Sequence, residues 1–532
     1  MRYFALRSEC VPNSMEQVEL AASPSAEVRN NGPVTSPGRH GTKGTCAVVG
    51  SGIAGLASAI RLAHAGHRVT VFEANAYAGG KISELRMGGY RFDMGPTVLT
   101  MPRYIDELFA LCGEDPRAHI SYQRIDPGFQ YFFQDGSVIR TWADADRFAD
   151  DVAANTTATR ESVLTFLDRC RVKRELTEEV FLERSLHQLK NYFNKATLRG
   201  LLNFHKVGAF TTMAKANAAL FKDEKAAAVL NQFAGYTGSN PYAAPATLNL
   251  IAYYELALGS FAARGGMHAI TQALVELAKR QGVRFELNAP VERILVESNT
   301  CKGIVVHGRE LPFDRVVANT DIQATYDRLL PDQRKPERVL RQPRSSSVIL
   351  FHWGVDRTFP ALHLHNMFMS SDGRAEYDHI FNKGTLHPDP SVYLHISSKV
   401  NSSDAPAGCE NWYAMVSVPH NTGQDWDTLV RQTRATVIEK LSRMLAVDVE
   451  AHIRCEHKID PRTLEQMTSC AFGAIFGMSS NGMFASMLRH PNFSRRIKDL
   501  YFCGGSVHPG PGIPLCLLSA KITAGLVEED VA

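Results

Sequence analysis

The sequence predicts an α/β protein in which a Rossmann-like nucleotide-binding domain is joined to a second domain that combines β-strands with helices. Three observations lead to this fold class. An apolar, β-branched run ends in glycines at positions 50, 52 and 55. A second strand-like run, 68–72, ends in the acid Glu73, about 20 residues after the glycines. The chain has 532 residues, which is too many for one compact core.

The glycine turn has a physical reason at each of its three positions. Gly50 allows the tight turn after the strand, Gly52 lets the backbone approach a pyrophosphate, and Gly55 lets the next helix pack closely. The N-terminus of that helix presents unpaired N–H groups and a positive dipole end to the phosphates. Glu73 is placed to hold a ribose hydroxyl. We therefore predict a dinucleotide site; the alternative is an ordinary βαβ turn.

Composition and charge exclude several other classes of protein. An apolar fraction of 44% and a charged fraction of 21% are typical of a globular protein. The net charge of +3 gives no general reason to expect a nucleic acid as partner. The 10 cysteines include no C-x-x-C pair and no cluster at metal-ligand spacing, which favours a reducing cytoplasm and argues against disulfides and a metal site. No run of 18 apolar residues could span a membrane.

Residues 1–44 differ in character from the rest of the chain. They are rich in Ser, Pro, Gly and Asn, show no sustained periodicity, and begin without the apolar core of a secretory signal. We expect a disordered tail, and the sequence leaves open whether Met1 or Met15 is the true start.

A second group of glycines follows Glu73, in the segments 79–81 and 93–97. The order of the glycine turn, Glu73, Gly79-Gly80-Lys81 and Asp93-x-Gly95-Pro96 resembles the flavin amine oxidase and carotenoid desaturase superfamily. This resemblance implies FAD rather than NAD as the cofactor. It places Gly80 and Lys81 beside the cofactor, and it passes the backbone of Gly95, Pro96 and Thr97 close to the flavin ring.

The segment 240–321 extends the resemblance, and here it is to the bacterial-type phytoene desaturases. In that family a pair of glycines, here Gly265-Gly266, returns the chain to the FAD domain, and the strand before Val291 reaches the adenine end. Glu255 and Arg264 are the polar candidates for the flavin face. The pair Ala262-Ala263 departs from the usual aromatic-proline pair, which leaves the shape of this loop open.

The C-terminal run from Leu500 to Pro514 is the most specific motif of the chain. It is similar to the C-terminal signature of carotenoid desaturases, and the resemblance implies that Gly504, Gly505 and Ile513 contact FAD. Pro514 suits the first turn of a helix that runs from Leu515 towards Glu529. His508 is a candidate to approach the flavin ring, and its alternative role is that of a turn residue held by Pro509.

The segment 184–222 is both basic and apolar. It has seven Lys or Arg and no Asp or Glu, with leucines and aromatic residues between them. The spacing of Leu182, Leu186, Leu189 and Phe193 predicts one face of a helix. Such a segment can lie on an anionic membrane surface, or it can form a solvated helix pair over the core.

The family resemblance implies two domains assembled from separated segments, as in amine oxidases and the glutathione-reductase-2 type of fold. The FAD-binding domain would comprise 45–127, 262–330 and 481–532, and the substrate and membrane-facing domain would comprise 128–261 and 331–480. No second G-x-G-x-x-G follows a strand, so we expect oxygen or a quinone rather than a nicotinamide as electron acceptor. The expected location is cytoplasmic, with peripheral membrane attachment.

The family resemblance also implies the reaction, which is desaturation of a hydrophobic polyene, a carotenoid. A hydride would pass to the flavin while a neighbouring proton is lost, and catalysis would be mostly positioning. The alternatives are an amine oxidase, a polyene saturase, and a non-catalytic prenyl-lipid chaperone of the GDP-dissociation-inhibitor type.

The amino-acid sequence near the C-terminus indicates which carotenoid is the substrate. The run Gly504 to Ser519 resembles the branch that introduces a 3,4 double bond into carotenoids already hydroxylated at C1, rather than the early phytoene desaturases. A buried hydroxyl of the substrate needs a partner that a hydrocarbon end does not. The sequence does not identify that partner, and an early phytoene desaturase is the alternative.

Overall fold

The structure is a computed structural model that describes residues 43–193, 195–483 and 485–531. The predicted tail, apart from positions 43 and 44, lies outside the described residues. So does the choice between Met1 and Met15.

The strands fall into two main sheets and three smaller ones. In the described residues they are β1 (Thr45–Val49), β2 (Arg68–Phe72), β3 (Glu84–Met87), β4 (Tyr90–Asp93), β5 (Tyr122–Ile125), β6 (Gln130–Phe132), β7 (Val138–Arg140), β8 (Ser260–Ala263), β9 (Arg284–Glu286), β10 (Val291–Glu297), β11 (Thr300–Val306), β12 (Arg309–Pro312), β13 (Arg315–Ala318), β14 (Ser347–Val355), β15 (His365–Phe368), β16 (Val392–Ile396), β17 (Glu410–Val418), β18 (Ile453–Ile459) and β19 (Leu500–Phe502).

The helices lie mostly between strands or in the long segment between β7 and β8. In the described residues they are α1 (Ile53–His64), α2 (Arg103–Leu111), α3 (Ala145–Asn155), α4 (Arg160–Thr177), α5 (Lys195–Leu202), α6 (Phe204–Val207), α7 (Met213–Phe221), α8 (Glu224–Asn231), α9 (Leu250–Leu256), α10 (His268–Arg280), α11 (Ile322–Ala324), α12 (Glu337–Leu340), α13 (Gly373–Asp378), α14 (Trp426–Leu445), α15 (Pro461–Thr468) and α16 (Ile513–Val531).

The first main sheet is parallel, with the strand order β19-β13-β1-β2-β9. Alternate residues of β1 enter two different cores because successive side chains of a strand point to opposite faces. Val48 packs in a cluster with α1, α10 and α16, whereas Val49 packs in a cluster with β10 and β11. The sheet is therefore covered on both faces.

The second main sheet has the order β18-β14-β17-β16-β15-β6-β7 and is mostly antiparallel. All nine residues of β14 are buried. One face packs on α14 around Trp353, Trp412 and Trp426, and the other packs on the helices between β7 and β8. This second face, which carries Tyr393 and Tyr413, forms one wall of the site described below.

The helix predicted over 182–193 is wrong. A single π-helical turn ends at Leu182, and a short 3₁₀ turn covers Leu189–Tyr192. The carbonyl groups between these turns bind side chains: Asn191 Nδ2 donates to Ser185 O (2.8 Å) and the Tyr192 hydroxyl to Leu186 O (2.7 Å). Side chains that hydrogen-bond to nearby backbone groups compete with the backbone hydrogen bonds of a helix. The spacing of apolar residues alone therefore does not decide the conformation.

Candidate active site

The glycine turn after β1 is as tight as the sequence predicts. Gly50 has a φ of +93°, which favours glycine, and α1 begins at Ile53. A Cβ on Gly55 would lie 2.2 Å from the carbonyl oxygen of Gly50, so the helix approaches the strand more closely than a side chain allows. A Cβ on Gly52 would lie 2.9 Å from Nδ2 of Asn319.

Glu73 lies at the end of β2 and is 6% exposed. Its Oε2 accepts hydrogen bonds from the amide (2.9 Å) and the hydroxyl (2.6 Å) of Ser51. Its Oε1 accepts hydrogen bonds from the amide and the side-chain amide of Asn75, both at 2.9 Å. Sequence reasoning assigned no role to Ser51 or Asn75, which orient the carboxylate. The predicted contact of Glu73 with a ribose stays a prediction.

The second glycine pair packs directly on the first turn. The amide of Gly79 donates to the carbonyl of Ser51 (3.1 Å), and a Cβ on Gly80 would lie 3.3 Å from the Cα of Gly52. Lys81 is exposed, and its Nζ donates to the carbonyl of Ile475 (2.7 Å).

The C-terminal motif reaches the same place from the far end of the chain. The amide of Gly504 donates to the Ser519 hydroxyl (3.1 Å), and a Cβ on Gly504 would lie 2.9 Å from Oδ1 of Asn319. A Cβ on Gly505 would meet the Cα of Pro511 at 3.2 Å. The last two residues of the motif, Ile513 and Pro514, form the start of α16. The loop therefore brings a second helix N-terminus to the glycine turn.

Asn319 joins these segments, and sequence reasoning missed it. It follows β13, its amide donates to Val49 O (2.8 Å), and its Nδ2 donates to Gly50 O (3.3 Å). Its side chain faces Gly52, Gly55 and Gly504. The signal that could have found it is an amide directly after a buried strand, because the carboxyl ends of neighbouring parallel strands meet at one edge.

These residues fit FAD. The carboxyl ends of β1, β13 and β19 and the N-termini of α1 and α16 surround a cradle where glycines replace side chains. Helix N-termini and exposed backbone N–H groups suit a pyrophosphate. The Ala289 amide donates to Glu73 O (2.8 Å), so the start of β10 at Val291 lies beside the predicted ribose acid. The predicted FAD contacts at Val291 and Ile513 stay predictions.

Gly95, Pro96 and Thr97 lie over the wall formed by the second sheet. Gly95 has a φ of +102°, and a Cβ there would lie 3.0 Å from the Tyr413 hydroxyl. Thr97 Oγ1 hydrogen-bonds the Tyr393 hydroxyl (2.8 Å), whereas Pro96 between them is exposed. The loop predicted to border the flavin is thus continuous with an aromatic wall.

A buried ion network fixes the strand that leads into this loop. Arg91 donates to Glu84 (2.7 Å), Asp93 (2.6 Å) and Asp404 (3.1 Å), and the Met267 amide donates to Asp93 Oδ1 (3.0 Å). Although burial opposes the charged form, the three carboxylates raise the pKa of Arg91 above its ordinary value. The network ties β3 and β4 to the segment after β8 and so sets the position of Gly95.

Glu255 lies on α9, behind the same aromatic wall, and is 3% exposed. Its Oε2 accepts a hydrogen bond from the Tyr236 hydroxyl, and its Oε1 is buried with no partner among the described residues. Burial raises the pKa of Glu255 to about 7, and the Tyr236 hydrogen bond opposes that shift. A buried carboxyl with an unpaired oxygen is a candidate for contact with substrate.

The structure does not bring Arg264 to Glu255. Arg264 is exposed just after β8, and its amide donates to the carbonyl of Ser121 (3.0 Å). Its predicted role at the flavin face stays a prediction.

His508 is buried within the C-terminal motif, and its side chain contacts the segment around Arg184 and His187. Its Nε2 donates to the carbonyl of Arg184 (2.8 Å), and its ring meets that of His187 at 5.7 Å, edge to face. Burial lowers the pKa of His508 to about 4. These contacts favour the structural interpretation of His508, while its approach to the flavin ring stays a prediction.

The fold and the site together define a class: an FAD-dependent oxidoreductase with an amine-oxidase-like fold. Residues 53–527 match the flavin containing amine oxidoreductase family. The chain belongs to this family, which confirms the predicted fold class, the predicted cofactor FAD and the predicted oxidoreductase activity. Membership favours an enzyme over the non-catalytic chaperone.

Related proteins match this chain over nearly its full length. The 1-hydroxycarotenoid 3,4-desaturase of Flavobacterium sp. (strain P99-3) is 42% identical over 485 residues, which cover 91% of this chain and 99% of the relative. The phytoene desaturase of Fusarium fujikuroi is 31% identical over 509 residues, 91% of this chain and 89% of the relative. Cyclohexylamine oxidase from Brevibacterium oxydans IH-35A, at 15% identity, has a TM-score of 0.58 over 92% of this chain and 99% of its own, which supports the fold.

Proposed function

We propose that the chain is an FAD-dependent desaturase that introduces the 3,4 double bond into 1-hydroxycarotenoids. The observation that carries the proposal is the 42% identity with the Flavobacterium 1-hydroxycarotenoid 3,4-desaturase over almost the whole of both chains. The run Gly504 to Ser519 supports the same branch.

The reaction breaks one C–H bond at C3 and one at C4 and forms a double bond between these carbons. One hydrogen leaves as a hydride and the other as a proton. Bound FAD would supply the acceptor for the hydride. A polyene delocalises positive charge that develops beside it, so the main task of the protein is to hold the C3–C4 bond against the flavin.

The aromatic wall is suited to that task. A pocket beside it is lined by rings, thioethers and an aliphatic side chain, and also by polar residues: Met367, Tyr377, Ile380, Tyr393 and Met415, with Gln232, Glu376, Ser391 and Ser417. Rings and thioethers offer a polyene broad apolar contact, and methionine adapts to irregular shapes. Tyr393 links this pocket to the loop of Thr97 through a hydrogen bond (2.8 Å). Substrate bound along the wall would thus run from the pocket towards the predicted flavin edge.

We extend the proposal to peripheral docking on an anionic membrane, where a carotenoid substrate is dissolved. The apolar side chains of the 184–222 segment are strongly exposed: Phe193 by 85%, Leu202 and Phe210 by 72%, and Leu198 by 59%. Lys195 and Arg199 extend from the same short helix as the two leucines. Exposed apolar groups interleaved with cations favour a lipid surface over a solvated helix pair.

In the part of the chain that the structure describes, no helix has both the length and the hydropathy needed to cross a membrane.

The test of the proposed function supplies the purified holoenzyme with a 1-hydroxycarotenoid and, separately, with phytoene. We expect the absorption of the hydroxylated substrate to shift to the red as the polyene lengthens, with little change for phytoene. A shift with phytoene and none with the hydroxylated substrate would overturn the late-step assignment. The chain would then be an early phytoene desaturase, the second candidate, which the 31% identical Fusarium relative supports.

A further inference from the structure

One oxygen of a buried carboxylate behind the aromatic wall is unpaired. Glu255 is 3% exposed, and Tyr236 satisfies Oε2, but Oε1 has no hydrogen-bond partner within the described residues. Leaving a buried polar atom unpaired is unfavourable, so most such atoms in folded proteins have partners. An acceptor left open at this position is suited to a donor that arrives with a ligand.

The surroundings of Glu255 limit what that ligand can be. Tyr131, Tyr236 and Tyr393 are close enough for the carboxylate to help raise their pKa values, after the larger effect of burial. Phe129 stacks on the ring of His365 with 4.7 Å between centroids, and the Nε2 of His365 is also buried with no partner among the described residues. The aromatic surroundings of Glu255 thus suit a largely apolar ligand with a hydroxyl that donates to Oε1.

Tyr393 is a neighbour both of Glu255 and of the loop predicted to border the flavin ring. Burial and, to a smaller extent, the charge of Glu255 raise the pKa of Tyr393. The Tyr393 hydroxyl also hydrogen-bonds Thr97, which belongs to that loop. In a 1-hydroxycarotenoid the hydroxyl-bearing C1 is only two bonds away from C3, one of the two reacting carbons. A residue beside the reacting bond can therefore reach the hydroxyl.

We infer that Oε1 of Glu255 accepts a hydrogen bond from the C1 hydroxyl of the substrate and that Tyr236 holds the carboxylate in position. The inference rests on the proposed function and deepens it, since it names the group that selects hydroxylated carotenoids. A carotenoid with hydrogen in place of the hydroxyl leaves Oε1 buried and unpaired. Glu255 therefore favours the hydroxylated substrate by about tenfold to a hundredfold in kcat/KM.

A different role for Glu255 is acceptance of the proton that desaturation releases. The two roles differ in what they do to each substrate. A proton acceptor raises kcat for every substrate, whereas a hydroxyl acceptor changes the ratio between two substrates that differ only at C1.

The experiment compares a 1-hydroxycarotenoid with the same carotenoid lacking the hydroxyl, using holoenzyme with and without Glu255→Leu. Leucine has similar volume and no acceptor. In Glu255→Leu we expect the ratio of kcat/KM for the hydroxylated substrate to kcat/KM for the other substrate to fall by tenfold or more, mainly because kcat/KM for the hydroxylated substrate falls. The dissociation constant of the hydroxylated substrate, measured anaerobically by tryptophan quenching, should rise. Glu255→Gln keeps an amide oxygen and should retain part of the ratio. Tyr236→Phe frees the carboxylate and should lower the ratio severalfold.

Tyr254→Phe is the matched control, because Tyr254 is the neighbour of Glu255 on α9, also has a buried hydroxyl, and packs in the cluster on the other side. It should leave the ratio unchanged. An unchanged ratio in all three test variants, or an equal fall of kcat for both substrates, overturns the inference. If the wild-type enzyme does not desaturate the hydroxylated substrate at all, the proposed function fails and the inference fails with it. If Glu255→Leu does not fold, the other two variants decide.

Discussion

The Glu73 carboxylate accepts two hydrogen bonds from one residue, Ser51: the amide lies 2.9 Å and the hydroxyl 2.6 Å from Oε2. Ser51 stands between the first two glycines of the turn, and Glu73 ends the neighbouring strand. The acid predicted to hold the ribose therefore also shapes the turn predicted to hold the pyrophosphate. Changes at either residue should affect both ends of the dinucleotide.

Glu73→Gln should weaken FAD binding by about tenfold or more, because an amide cannot replace a carboxylate that accepts four hydrogen bonds. The dissociation constant is measured by titrating apoprotein with FAD. Glu286→Gln is the control, since Glu286 is an exposed acid at the end of the adjacent strand β9. Equal affinities in the two variants would contradict a special role for Glu73.

Gly52→Val should abolish stable FAD binding while the protein still folds. The φ of Gly52 is −58°, which any residue can adopt, so the cost is the side chain itself, which meets Asn319 and fills the cradle. The measurement is the ratio of FAD to protein after desalting. Gly373→Val changes a glycine with open space around it and should bind FAD normally. A stoichiometric Gly52→Val flavoprotein would show that the phosphates bind elsewhere.

Local patterns were sufficient for individual elements of the parallel-sheet domain. The predicted strand at 68–72 and the predicted C-terminal helix are confirmed by β2 and α16. Both could be predicted because apolar periodicity and the glycines or prolines that end an element act over a few residues. Glu255 could be identified only from a family resemblance. The unpaired state of its Oε1 depends on Tyr236 and the aromatic wall, which only the tertiary structure brings together.

Asn319 shows what the sequence leaves out. Its side chain touches glycines from both ends of the chain, yet an isolated asparagine after a strand has no periodic signal. The helix wrongly predicted over 182–193 shows the reverse, a periodic signal without a helix. Side-chain hydrogen bonds to the carbonyls of Ser185 and Leu186 decide the conformation there.

Reversing the charge of the exposed basic residues Lys195, Arg199 and Lys206 to Glu should reduce sedimentation with anionic liposomes. Each cation near such a surface contributes roughly 1 kcal/mol, so the triple variant should lose more than tenfold in partitioning at low salt. Lys302, Arg309 and Arg338, which are also exposed, give a triple Glu control outside the 184–222 segment. Undiminished pelleting of the test variant would remove this segment from the membrane contact.

Reoxidation should proceed with oxygen or a quinone as electron acceptor and not with a nicotinamide, because the sequence carries one glycine fingerprint. The measurement follows carotenoid turnover under anaerobic conditions with a quinone, with NAD⁺ or with NADP⁺ as sole acceptor. Turnover with either nicotinamide and none with a quinone would contradict the prediction.

The titration of Glu255 should make stability depend on pH in a definite direction. Burial raises the pKa of Glu255 from 4.5 to about 7 in the folded protein. Between these values the folded state keeps a proton that the unfolded state has lost, so stability falls as pH rises from 4.5 to about 7. The full effect is about 3 kcal/mol, which is present below pH 4.5 and lost above pH 7.

Glu255→Gln removes this titration, so the free energy of unfolding of the wild type minus that of the variant should fall by about 3 kcal/mol across the same window. Chemical denaturation of both proteins without substrate, at several pH values, measures the difference, in which titrations common to both cancel. Glu297→Gln, which changes an exposed carboxyl, tests whether loss of a charge alone makes the stability difference depend on pH. A difference that stays constant from pH 4.5 to 7 would mean that the carboxyl is solvated in the folded protein, and the unpaired Oε1 would then have water as its partner.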